Sequence, residues 1–175
     1  PDHPQTASIL DGLADIYSLQ GIFNKAEPLY LRSLSIKERT LGPDHPQTTV
    51  TVDALASIYK DQEKYSKAEP LYLRALSNSE KTLGPDHPQT AVHINNLATF
   101  YDSKGLFSKA ESLYLRALSI FERTTLGTDN IFIELSLRNL ALNYSSQGLY
   151  EKAIPLMFRA QKRRISLIQR ESPYL

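Results

Sequence analysis

Residues 43–84 read PDHPQTTVTVDALASIYKDQEKYSKAEPLYLRALSNSEKTLG, and residues 1–42 match them at 26 of 42 positions. The hexapeptide Pro-Asp-His-Pro-Gln-Thr stands at 1–6, 43–48 and 85–90, a spacing of 42. Lys-Ala-Glu-Pro-Leu-Tyr stands at 25–30 and 67–72 and returns as Lys-Ala-Glu-Ser-Leu-Tyr at 109–114. A fourth copy, Lys-Ala-Ile-Pro-Leu-Met at 152–157, arrives one residue late. A fixed period of this size marks a solenoid, in which each unit buries its apolar face only against its neighbours. The period divides the chain into repeats at 1–42, 43–84, 85–127 and 128–165, with 166–175 as a helix end or tail. These form one continuous stack.

Each unit reads as two helices. Leu10, Leu13, Ala14 and Tyr17 fall at i, i+3, i+4 and i+7, one apolar stripe. Gln20-Gly21, Lys104-Gly105 and Gln147-Gly148 break the first helices, whereas the second copy has Gln62-Glu63 there, without glycine. The pairs Asn24/Glu27, Ser66/Glu69 and Ser108/Glu111 have the spacing of a capping box and predict where the second helices start. Pro28, Pro70 and Pro155 then fall at the edge of the first turn, where a missing N–H costs less than in the helix interior. Gly42, Gly84 and Gly127 end the second helices. The predicted pairs are 4–20 with 24–41, 46–62 with 66–83, 88–104 with 108–125, and 131–147 with 151–169.

The residues Leu55, Ala56, Tyr59, Tyr65, Ala68, Tyr72, Ala75 and Leu76 follow the pattern Leu-Ala-x-x-Tyr, aromatic-x-x-Ala, Tyr-x-x-Ala-Leu. Leu97, Ala98, Tyr101, Gly105, Phe107, Ala110, Tyr114, Ala117 and Leu118 repeat it. This resembles the tetratricopeptide repeat. The longer 42-residue unit, with Leu-Gly-Pro-Asp-His-Pro between copies and Asn-Asn-Leu-Ala at 95–98, resembles the repeats of kinesin light chains and their bacterial relatives. The resemblance implies an all-α, right-handed superhelical solenoid of four helix pairs.

Composition narrows the function classes. With 20 Lys and Arg against 19 Asp and Glu the formal charge is +1, and this balance argues against a nucleic-acid partner. The total hides a cancellation: residues 1–158 hold 15 basic and 18 acidic groups, net −3, while 159–175 hold 5 and 1, net +4. No cysteine is present, which excludes disulfides, thiolate metal sites and a Cys nucleophile, and fits a reducing, cytoplasmic setting. No apolar run reaches the roughly 20 residues of a membrane span. The only methionine is Met157, so the chain reads as a slice of a longer array. No P-loop, Gly-x-Ser-x-Gly or His-Glu-x-x-His motif occurs, so the chain reads as a non-enzyme without cofactor or metal. His3, His45 and His87 recur once per repeat, too far apart in a solenoid to share one ion at roughly 2 Å. Each Asp-His-Pro instead starts a helix, with Asp44 or His45 as cap and Pro46 in the first turn. His93 reads as an exposed mid-helix residue. The tyrosines and phenylalanines recur at three repeat positions and read as packing rather than as base-stacking platforms.

Function is then expected on the faces that packing leaves free. In tetratricopeptide proteins the first helix of each pair lines the concave surface, and the resemblance assigns those positions here. They are Asp11, Asp15 and Ser18; Asp53, Ser57 and Lys60; Asn95, Asn96, Thr99 and Asp102; and Arg138, Asn139, Leu142 and Ser145. The resemblance places Asn96 and Asn139 against a bound peptide's backbone, a task that suits an amide because it both donates and accepts. Gly12 and Ala54 stand at the equivalent positions, which confines such a clamp to the C-terminal half. Asp11, Asp15 and Asp53 suggest a partner with a basic stretch facing the first two repeats.

At the fourth junction, 128–133, Thr-Asp-Asn-Ile-Phe-Ile replaces the hexapeptide, and Phe132 is either an exposed anchor or packed near Phe121. The last helix carries Ile154, Phe158, Ile165 and Ile168 together with Arg159, Lys162, Arg163, Arg164 and, just beyond, Arg170. A solenoid end normally bears a polar cap. The continuing apolar stripe therefore predicts a following element or self-association through exposed ends. The function expected is a protein-interaction scaffold that holds a peptide or protein segment on its concave face, with no membrane partner. The alternative is a regulatory or sensor module of a multidomain enzyme, since bacterial relatives place such repeats before a caspase-like peptidase or a signalling NTPase.

Overall fold

The computed structural model describes residues 3–124 and 131–171, the last six as backbone only. Among the described residues every regular element is helical, and the helices fall into two compact units, Pro1–Pro85 and Asp86–Leu175. The first unit holds α1 (Pro4–Leu19), α2 (Phe23–Thr40), α3 (Pro46–Asp61) and α4 (Tyr65–Thr82). In it α1 packs on α2, α3 on α4, and α2 on α3. The second holds α5 (Pro88–Ser103), α6 (Phe107–Thr124), α7 (Ile131–Ser146) and α8 (Tyr150–Glu171). There α5 packs on α6, α7 on α8, α6 on α7, and α5 also touches α7. Gly127 and residues 128–130 lie outside the described residues, as do the side chains of Ile168 and Arg170.

The first helices start as the Asp-His-Pro motif predicts, and histidine is the cap. Nδ1 of His3, His45 and His87 accepts the backbone N–H of Gln5, Gln47 and Gln89 at 3.2, 3.1 and 3.1 Å. Proline follows at the first helical position, where its missing N–H has no intrahelical partner to lose. Asp44 instead accepts an ion pair from Lys81. Each histidine thus serves its own helix end.

The second helices correct the capping-box expectation. They begin at Phe23, Tyr65, Phe107 and Tyr150, so Asn24, Ser66 and Ser108 sit one residue inside. The N-caps of α2 and α4 are Ile22 and Lys64, neither with a side-chain cap bond. Glu27 and Glu111 are used elsewhere: they accept the hydroxyls of Tyr59 and Tyr144 from the following repeat, at 2.9 and 2.7 Å. The early start also moves Pro28, Pro70 and Pro155 into the helix interior.

The turn between paired helices closes the same way whether or not it contains glycine. Gly21, Gly105 and Gly148 take φ of 71°, 72° and 73°, and Glu63 takes φ 58° in the same place. The closing bond runs from Ile22 N–H to the Tyr17 carbonyl at 2.8 Å, and from Lys64 to Tyr59 at 2.8 Å. Fully buried alanines, such as Ala14 and Ala26 or Ala56 and Ala68, recur on both helices of a pair. A larger side chain at these registers would overpack the core. His93 departs from its expected exposure. It is 2% exposed because it shares the buried side of α5 with Leu97 and Phe100.

Candidate interaction site

In the first unit the residues expected on the concave face are largely engaged within the fold. Asp11 accepts Lys37 Nζ at 2.5 Å and Thr51 Oγ1 at 3.0 Å. Lys37 is itself buried and also reaches Thr51 and the Gln47 carbonyl, at 2.9 and 3.2 Å. Asp15 accepts the hydroxyl of Tyr30, Asp53 is buried, and Lys60 pairs with Asp61 at 3.1 Å. The acidic trio therefore does not form a free anionic surface. Asp11 is neutralised, Asp53 is covered, and Asp15 alone is exposed, already bearing a hydroxyl. The expected preference for a basic segment at these repeats loses its physical basis.

One register explains three of the assigned residues together. Tyr30 donates to Asp15, Tyr72 to Ser57 at 3.2 Å, and Tyr114 to Thr99 at 3.3 Å. Each bond spans 15 residues and ties the second helix of a pair back to its first. Burial pushes all three phenols up, Tyr114 to about 12, and for Tyr30 the Asp15 carboxylate adds to the effect. The polar residue at this register recurs together with the tyrosine that bonds to it.

Asn95, Asn96, Thr99 and Asp102 on α5 and Asn139 on α7 are half-buried, while Arg138 and Leu142 are exposed. Asn95 faces Ser136 at 3.5 Å, and a cleft of about 100 Å³ brings Asn95 and Asn96 against Phe121 and Phe132. The two rings stack with centroids 5.4 Å apart, so Phe132 packs on Phe121 while staying 43% exposed. Asp102 accepts Asn143 Nδ2 at 2.7 Å. Burial raises its carboxyl above the usual range, and the Asn143 bond opposes that rise.

Asn143 is absent from the sequence-assigned set although it is fully buried. It bridges Asp102 and the Phe107 carbonyl, at 2.7 and 3.3 Å. Its signal is an amide at the register where the other repeats carry Ile16, Ile58 and Phe100. A cavity of about 560 Å³ between α7 and α8 was equally unassigned; Arg138 and Ser145 contribute to it from α7, and Met157, Phe158 and Arg164 from α8. Among the described residues no group of three His, Asp or Glu side chains is disposed to hold a metal ion, and no helix is long and apolar enough to cross a membrane.

The family model for the tetratricopeptide repeat matches residues 5–78, 49–123 and 95–164. The chain belongs to the tetratricopeptide repeat family. Among solved structures, BtubC (BKLC) from P. vanneervenii superposes with a TM-score of 0.81 at 26% identity, covering 94% of this chain and 66% of BtubC. A kinesin light chain-like protein of Podosopora anserina with nearly identical TPR-like repeats gives 0.78 at 24% identity, over 97% of this chain and 78% of that one. The apo form of RapI gives 0.79 at 19%, over 99% and 61%. No curated protein matches the sequence. The chain thus spans just under two thirds of BtubC, and the likeness establishes an all-α repeat solenoid of the kinesin light chain-like type.

Proposed function

We propose that this tetratricopeptide chain binds a peptide or protein segment on the face formed by α5 and α7. Tetratricopeptide repeats are protein-interaction modules, and the reading adds where on this one the ligand lies. The observation that carries it is the direct packing of α5 on α7 within one compact unit. That contact places Asn96, Asn139, Arg138 and Leu142 on neighbouring helices of one unit. Asn96 and Asn139 occupy one repeat register and supply amides that read a ligand's backbone regardless of its side chains. The first unit contributes less, because its equivalent positions are Gly12 and Ala54 and its acids are engaged.

The test is a peptide array probed with the protein, followed by titration of the strongest binders against an Asn96→Ala/Asn139→Ala variant. Loss of both amides is expected to weaken binding about tenfold or more, two hydrogen bonds at about 1 kcal/mol each. Undiminished affinity with the helical fold intact overturns the assignment of this face.

A further inference from the structure

One core register of the repeats changes character at α7. Ile16, Ile58 and Phe100 stand there in the first three repeats, and Asn143, fully buried, stands there in the fourth. Burying an amide costs free energy unless its polar atoms find partners. Here each does: Nδ2 donates to Asp102 Oδ1 at 2.7 Å and to the Phe107 carbonyl at 3.3 Å, and Oδ1 accepts Gln147 Nε2 at 2.9 Å. Between the first two repeats the registers of Asp102 and Asn143 hold Ser18 and Ile58, so a repeat junction forms without such a bond.

What the buried amide fixes is a carboxylate. Asp102 is half-buried near the end of α5, and among the described residues no Lys or Arg pairs with it, whereas Asp11 has Lys37. Its other oxygen, Oδ2, accepts no bond among the described residues and is not sealed from solvent. The neighbouring polar group on α6 is neutral: Tyr114, whose hydroxyl bonds to Thr99 one turn earlier on α5 and lies close enough to feel the Asp102 charge. A carboxylate with one oxygen held, one oxygen open and no cation beside it is a preset acceptor for an ammonium or guanidinium. Such charge-assisted bonds are roughly twice as strong as neutral ones.

We propose that Asp102 selects a lysine or arginine side chain of the segment bound on the α5 and α7 face, with Asn143 as the positioning residue that holds its carboxylate. This rests on the reading that the face binds a peptide segment, and it supplies what backbone-reading amides leave open, a choice of sequence. Asn96 lies six residues before Asp102 on α5, about 9 Å along the helix axis at 1.5 Å per residue. An extended segment covers that distance in about three residues, so the amide contact and the basic side chain fit within one short peptide. The selection is confined to one ligand position, because Asp11, Asp15 and Asp53 of the first unit are bonded or buried.

The probe is a phage-displayed library of random dodecapeptides, selected in parallel on the wild-type protein and on Asp102→Asn. Asparagine can still accept the Asn143 bond, so this variant removes the charge and keeps the helix junction. The wild type is expected to enrich Lys or Arg at one position of its consensus, and Asp102→Asn to lose that enrichment while keeping the rest. The best wild-type peptide, synthesised with lysine or norleucine at that position, should bind about tenfold more tightly as the lysine form, a preference that Asp102→Asn abolishes. Asn143→Ile, with the residue that the first two repeats carry at that register, should reduce the preference while the peptide still binds. Helicity and melting midpoint are read for each variant, and Asp102→Ser, with the residue of the first and fourth repeats, is a second way to remove the charge. A consensus without a basic position, or a lysine preference that both Asp102 variants retain, overturns this inference; the reading of the face survives if Asn96→Ala/Asn139→Ala weakens the same peptides. Peptides indifferent to those amides, or no selected peptide at all, overturn the reading of the face and this inference with it.

Discussion

Glu63 holds φ 58° at a turn where three sister repeats place glycine. A side chain with a Cβ pays a steric penalty in that conformation, and glycine does not, although glycine carries more unfolded-state entropy. The steric term is the larger, so Glu63→Gly is expected to raise stability by about 0.5 to 1 kcal/mol, read as a higher urea midpoint at unchanged slope. A lower midpoint would show that Glu63 contributes a contact worth more than the strain. Residue-level reading of the sequence succeeded where chemistry is local: the histidine caps, the helix-initiating prolines and the aromatic registers all follow from short motifs. It failed where a partner lies a repeat away. Nothing near Asp11 in sequence announces Lys37 or Thr51, and they are what turn a surface acid into a half-buried ion pair.

Helix boundaries show the same division. The four helix pairs were legible from period and stripe, yet the second helices start a residue earlier than their apparent capping boxes predict. Asn24 and Glu27 have the right spacing, but the backbone already turns at Ile22, and Glu27 is recruited by Tyr59 of the next repeat. Pro70 consequently occupies the sixth position of α4, exposed and inside the helix. It cannot donate to the Ser66 carbonyl, and its ring crowds that turn. Ser112 stands at this register in α6 and donates to the Lys109 carbonyl at 2.9 Å. Pro70→Ser is therefore expected to stabilise the protein by about 1 kcal/mol, less than the full interior penalty because the site lies near the helix start. A thermal or urea melt decides it, and an unchanged or lower midpoint would mean the proline's rigidity outweighs the missing bond.

Within each of the two units, tyrosine hydroxyls tie helix to helix and repeat to repeat. Tyr30, Tyr72 and Tyr114 lock helices within a pair, while Tyr59 locks the second pair to the first and Tyr144 the fourth to the third. The cavity between α7 and α8 is legible only on this scale, because Met157 and Ile154 stand where earlier repeats place the tyrosine and glutamate of these bonds. The same network predicts how the protein responds to alkali. Burial raises all five phenols above the ordinary value of 10.0, with Tyr59, Tyr114 and Tyr144 reaching about 12. For Tyr59 and Tyr144 the hydrogen bond to Glu27 or Glu111 adds to burial, because a tyrosinate cannot donate to a carboxylate. The native chain therefore keeps these protons in a range where the unfolded chain has released them. Their contribution to stability is complete below pH 10 and is lost as pH rises from 10 through 12. Urea midpoints should accordingly fall over that interval, and the slow part of the tyrosinate absorbance should rise together with the loss of far-UV helicity. Replacing Tyr59 and Tyr144 by phenylalanine should flatten the pH dependence while lowering stability at neutral pH. Full tyrosine titration near pH 10 with helicity intact would mean that these hydroxyls do not hold the repeats together.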